Sequence, residues 1–138
     1  QDHVEGERAV KVRLAQRFFR RMVLTAYHCE CCVSGNPVAE LLVASHILPW
    51  ASYPAHRVNP RNGLCLSRLH DGAFDQGLIA FDDDYRLLLS KRLRDHLTSQ
   101  AIRDNFAPYQ GKALDLPEKF CPDRRFLAEH REAIFAGC

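Results

Sequence analysis

Apolar and polar positions alternate along the first part of this chain with the period of a helix. From about Glu7 to Tyr27, Val12, Ala15, Phe19, Met22, Val23 and Ala26 fall on one arc at about 100° per residue, and Arg13, Arg17, Arg20 and Arg21 collect on another. This pattern predicts an N-terminal amphipathic helix within residues 1–27. The period then changes. "LLVASHI" within 40–47 reads as a strand ended by Pro49, and residues 50–62, with Pro54 and Pro60, are too irregular for an element. A short strand at 63–67 pairs back and a helix at 68–75 follows, giving a ββα unit within 40–77. "LIAFDDDYRLLLS" has two apolar runs around Asp82-Asp83-Asp84 and predicts a hairpin over 78–90, the aspartates serving the turn. The remainder, 91–138, predicts two helices, about 92–104 and 123–135, joined by a loop. The fold class is α+β, in a single domain without internal repeat or low-complexity segment.

Composition narrows the setting. A length of 138 residues suits one domain with a modest core. No apolar run of about 18 residues is present, so no membrane span is expected, and no charged-then-apolar leader is visible, so a cytoplasmic location is expected. The chain begins at Gln1 rather than methionine, which fits a piece of a longer protein whose N-terminal part carries recognition or sensing. Net charge is only +2, so the distribution of charge matters more than its sum. The stripe of Arg13, Arg17, Arg20 and Arg21 would meet phosphates, or else form a solvated helix face. Arg57, Arg61 and Arg68 flank the central block and are further candidates for backbone contacts.

Of six cysteines, Cys29 and Cys32 form one C-x-x-C pair beside His28, while Cys65, Cys121 and Cys138 stand alone. A structural zinc needs four ligands and no second pair exists, so structural zinc is not expected. Adjacent cysteines suit a reducing compartment better than a disulfide framework.

The chemistry lies in an ordered set: Ser45-His46-Ile47, Asn62-Gly63-Leu64, Leu69-His70 and Phe74-Asp75. Hydrolysis of a phosphodiester needs a base for water, a cation for the pentavalent phosphate, and a group that orients the base. Imidazole titrates near neutral pH, imidazole and carboxylate suit a divalent first-row ion, and an amide orients without adding charge. His46, Asn62, and His70 with Asp75 read as base, orienter and metal shell. Singly, each has a plainer reading: a core histidine, an Asn-Gly turn, a helix-capping aspartate.

This constellation resembles the HNH (His-Me finger) endonucleases, in their branch of bacterial restriction endonucleases. "QRFFRRMVLTAY", "LLVASHILPW", "RVNPRNGLCL", "LHDGAFDQGLI", Leu116-Pro117 and "FLAEHREAIF" carry the resemblance over most of residues 11–135. It implies a ββα-metal core holding one divalent ion, Mg²⁺ or Mn²⁺, with Zn²⁺ and Ni²⁺ as further options. It implies a DNA endonuclease acting on double strands in restriction or defence, with a homodimer conceivable. His46 then matches the general base, Asn62 the middle asparagine, and His70 the helix histidine that ligates metal. Where many members place a ligand immediately before the base, this chain has Ser45, so a carboxylate must supply the second ligand. Asp75 is favoured over Asp71, because Gln76-Gly77 can end the helix there and let Asp75 turn back. The other reading is a non-catalytic nucleic-acid-binding or zinc-stabilised module on the same scaffold, motivated by Ser45 and the Cys29/Cys32 pair.

Overall fold

The structure, a computed structural model, describes residues 2–135; Cys138 lies outside them. The long N-terminal helix, α1, spans Asp2–Ala26. Only its C-terminal part is packed, through Phe19, Val23 and Leu24, with Tyr27 just beyond. Val12, expected on the inward arc, is exposed because the body of the protein lies below it. His28 and Cys29 then adopt left-handed backbone, φ 55° and 56°, and the Cys29 N–H donates to the Leu24 carbonyl at 2.8 Å. That reversal drops Cys31 and Cys32 into the core.

Two strands follow, β1 over Leu42–His46 and β2 over Gly63–Ser67, paired antiparallel with Leu42 opposite Ser67 and His46 opposite Gly63. The connection contains the short 3-10 turns Pro54–His56 and Pro60–Asn62. Gly63 is where α1 crosses the ribbon: a Cβ there would stand 2.5 Å from Val23 Cγ2 and 2.9 Å from Phe19 Cζ. Arg20 ties α1 to the same ribbon, donating to the carbonyls of Leu42 (2.7 Å) and Ala39 (3.0 Å).

Helix α2, Arg68–Asp75, starts directly after β2 because Ser67 caps it, its hydroxyl accepting the His70 N–H. The helix buries His70, Ala73 and Phe74. Strands β3 (Ile79–Phe81) and β4 (Leu87–Leu89) form the predicted hairpin, and Asp82 Oδ1 accepts the N–H groups of Asp84 and Arg86 in its turn. The helix predicted at 92–104 is two helices, α3 (Lys91–Arg94) and α4 (Gln100–Phe106). Thr98 and Ser99, poor in a helix interior, mark the break, and Ser99 adopts extended backbone as the N-cap of α4. Helix α5, Arg124–Ile134, is capped by Asp123 and packs back on β3 and the end of α2.

Candidate active site

The end of β1 and the outer face of α2 wall a cleft of about 570 Å³, closed on its far side by α5. His46 and Ser45 come from β1, Asp71 and Asp75 from α2, and Glu129 and His130 from α5; Trp50 and Tyr53 line the mouth.

His46 stacks on Phe19 at 3.8 Å and meets Trp50 edge-on at 5.5 Å. Its Nε2 is 2.8 Å from the Arg57 carbonyl. A carbonyl can only accept, so Nε2 carries the proton and the basic lone pair is on Nδ1. Burial lowers the pKa of the ring below 6.5, opposed by that hydrogen bond, and so keeps the imidazole neutral at pH 7. Asn62 is fully buried, and its side chain hydrogen-bonds the backbone rather than the His46 ring. Its Oδ1 accepts the Leu48 N–H at 2.8 Å, and its Nδ2 donates to the carbonyls of Leu48 (3.1 Å) and His56 (3.3 Å). The amide therefore holds both ends of the loop that begins at His46 and returns to Arg57.

His70 is not in this cleft. It lines a separate hollow with Ser67, Asn105 and Tyr109, and both ring nitrogens are occupied. Nε2–H donates to the Asn105 carbonyl at 2.8 Å, and Nδ1 accepts from the Ser67 hydroxyl at 2.6 Å. His70, expected as a metal ligand, joins Ala73 and Phe74 on the buried face of α2, and the residue after it, Asp71, lines the cleft with His46 instead.

Asp71 and Asp75, four residues apart, share the face of α2 that meets the cleft. Burial, and then the Asp71 charge, push the Asp75 carboxyl up to about 6. Ser45 of β1, 2% exposed, lines the same cleft and has a buried hydroxyl without a hydrogen-bond partner among the described residues. Two carboxylates on one helix face, lining a cleft with an unsatisfied buried oxygen, make a donor set that fits a hard divalent cation. Among the described residues, no group of three or more His, Cys, Asp or Glu side chains converges as a complete ligand cage.

Helix α5 supplies what the sequence did not single out. His130 Nε2–H donates to the Phe74 carbonyl at 2.8 Å, and its ring stacks on Phe74 at 3.7 Å. Its Nδ1 is buried without a partner, and burial lowers its pKa. Glu129 accepts from the Tyr53 hydroxyl at 2.7 Å across the mouth of the cleft. The signal available was the pair Glu129-His130 in "FLAEHREAIF", which no local rule ties to α2.

Of the arginines, Arg13, Arg17 and Arg21 are exposed on α1. Arg20 serves the fold as described, Arg57 donates to the Trp50 carbonyl and lies 5.1 Å over its ring, and Arg68 donates to the Glu40 carbonyl. Arg61 reaches the Cys121 carbonyl at 3.5 Å. These four are thus at least partly engaged by the protein itself. Cys32, of the C-x-x-C pair, is a buried thiol pushed up by burial, the reverse of a zinc-ready thiolate.

An antiparallel ribbon leading directly into a helix, with a histidine ending the first strand and an asparagine in the turn before the second, defines a ββα fold of the HNH kind. Residues 31–82 match the model of the HNH endonuclease family, so the resemblance drawn from the sequence holds, and nuclease is the class of activity this match supports. The solved structure of a modification-dependent TagI restriction endonuclease is similar in fold, with a TM-score of 0.57 at 17% sequence identity. The similarity covers 81% of this chain but 35% of that protein, so the chain corresponds to about a third of its length. No curated protein matches the chain.

Proposed function

We propose that this chain is a divalent-metal-dependent DNA endonuclease that hydrolyses phosphodiester bonds with His46 as general base. The observation that carries this reading is His46, its Nε2 held by the Arg57 carbonyl, lining one cleft with the Asp71/Asp75 pair. His46 Nδ1 takes a proton from a water whose oxygen attacks phosphorus; the new P–O bond forms as the bond to the 3′ oxygen breaks. The Arg57 carbonyl, accepting Nε2–H, stabilises the imidazolium that results. Asn62 fixes the loop that sets this orientation. Asp71 and Asp75 would hold the metal, Mg²⁺ or Mn²⁺ by their oxygen chemistry, and when bound it neutralises charge on the phosphate and the leaving oxygen. Arg13 and Arg17, exposed and adjacent on α1, are the side chains we assign to the backbone of double-stranded DNA.

A restriction or defence role in the cytoplasm is part of the proposal. It is supported by the family match, by the fold of a restriction enzyme, and by five free thiols among the described residues. The test is plasmid cleavage and Mn²⁺ titration of the chain and its His46→Ala variant. Cleavage should need Mg²⁺ or Mn²⁺, stop in EDTA, and fall at least about 100-fold in the variant while Mn²⁺ affinity is retained. DNA binding without cleavage under any ion would instead make the chain a binding module on the same scaffold.

A further inference from the structure

Helix α5 brings to the cleft one ring that the hydrolysis leaves unused. His130 is 4% exposed, its ring lies nearly parallel to that of Phe74, and its Nε2–H is spent on the Phe74 carbonyl. A carbonyl can only accept, so the lone pair of the neutral ring is on Nδ1, and Nδ1 has no partner among the described residues. A buried acceptor left open on the wall of a polar cleft calls for a donor. The polar neighbours that line the cleft do not supply one. Asp71 and Asp75 accept as carboxylates, Tyr53 gives its hydroxyl proton to Glu129, and the Ser45 hydroxyl is itself unpartnered.

We propose that His130 Nδ1 accepts a hydrogen bond from a water bound to the divalent ion of this cleft, so that α5 holds the ion's hydration shell while α2 holds the ion. The inference rests on the reading of Asp71 and Asp75 as metal ligands. Two observations select a metal-bound water over direct coordination. Among the described residues no three His, Cys, Asp or Glu side chains converge, so Nδ1 is not a third direct ligand. The cleft, about 570 Å³, has room for an ion that keeps several waters, each taking about 30 Å³ in the liquid. A cation makes its bound water a stronger donor, and a neutral nitrogen takes that hydrogen bond without adding charge. The Phe74 carbonyl fixes the tautomer that leaves Nδ1 open, as outer groups do around metal-binding histidines. Phe74 precedes Asp75 in α2, so the same bond ties the acceptor to the helix that carries the carboxylates. His130 is thus a positioning residue that touches neither the phosphate nor the base.

Mn²⁺ titration of the whole chain, followed by the electron paramagnetic resonance of the free ion, tests this without cleavage. His130→Gln keeps an amide N–H for the Phe74 carbonyl but removes Nδ1, and it should bind Mn²⁺ about 10–100-fold more weakly than wild type. His130→Asn, which returns an acceptor oxygen near the place of Nδ1, should recover part of that loss. In wild type carrying isotope-labelled histidine, Mg²⁺ should move the nitrogen resonance of His130 Nδ1 upfield, as a new hydrogen bond does. It should leave that resonance unmoved in the Asp71→Asn/Asp75→Asn chain. Wild-type Mn²⁺ affinity in a folded His130→Gln chain overturns the proposal. So does a wild-type Nδ1 resonance that saturating Mg²⁺ does not shift, or a spin-echo spectrum showing nitrogen bound directly to Mn²⁺. If the Asp71→Asn/Asp75→Asn chain binds Mn²⁺ as wild type does, the carboxylate reading fails and this one with it, so the two failures are told apart.

Discussion

At the scale of single residues, α2 divides its neighbours between two tasks. Asp71 and Asp75 face the cleft, while His70 spends both nitrogens on Ser67 and Asn105. Asp75→Asn should abolish Mn²⁺ binding yet stabilise the fold in EDTA, by about 1 kcal/mol, because it removes a charge that burial and Asp71 both disfavour. Solvent reaching the side chain keeps the gain small. His70→Gln should do the reverse, costing about 1–3 kcal/mol in a urea melt while leaving Mn²⁺ affinity within a few-fold of wild type. The two partly buried histidines of the cleft make stability depend on pH. Burial lowers the folded-state pKa of His46 and of His130 below 6.5, so the unfolded chain binds the extra protons. Stability is therefore full above about pH 6.5 and is lost as pH falls through the folded-state values. In the Asp75→Asn chain, which lacks the carboxyl whose raised pKa opposes this trend, urea midpoints at about pH 8 and about pH 5.5 should show the drop, and adding His130→Gln should remove part of it.

At the scale of elements, the site depends on contacts that hold the ribbon, the loop and two helices in fixed relation. Asn62→Ala should cost about 3 kcal/mol, since it leaves the buried Leu48 N–H and carbonyl unpaired, and it should reduce cleavage even where the chain is folded. Gly63→Ala should cost about 1–3 kcal/mol, because α1 has no room to retreat from Val23 and Phe19. Both are read by thermal melts. The ββα unit was legible in the sequence because its signals are local: an apolar run stopped by Pro49, the Asn62-Gly63 turn, and Ser67 capping α2. Which of His70 and Asp71 faces the cleft was not legible. Adjacent residues differ by about 100° around a helix, and only the burial of Ala73 and Phe74 fixes which one faces the cleft. The far wall was hidden for a different reason. Gly77, at φ 70°, lies against the Ile134 carbonyl, and that long-range contact is what brings Glu129 and His130 to α2.

At the scale of the whole molecule, charge is arranged rather than abundant: the net is only +2, yet five exposed arginines line α1, and three carboxylates line the cleft. A cleft so acidic repels a phosphate until a cation binds, so DNA should bind the chain more tightly with Ca²⁺ or Mn²⁺ than in EDTA. The assignment of His46 as base and of Asp71 and Asp75 as metal ligands is tested by nicking of supercoiled plasmid in Mn²⁺ by four chains: wild type, His46→Ala, the double variant Asp71→Asn/Asp75→Asn, and His70→Gln. All four are compared below the melting transition of the least stable. Wild type and His70→Gln should cut, and the other two should not. A folded His70→Gln chain that is inactive beside an Asp71→Asn/Asp75→Asn chain that still cuts would contradict it.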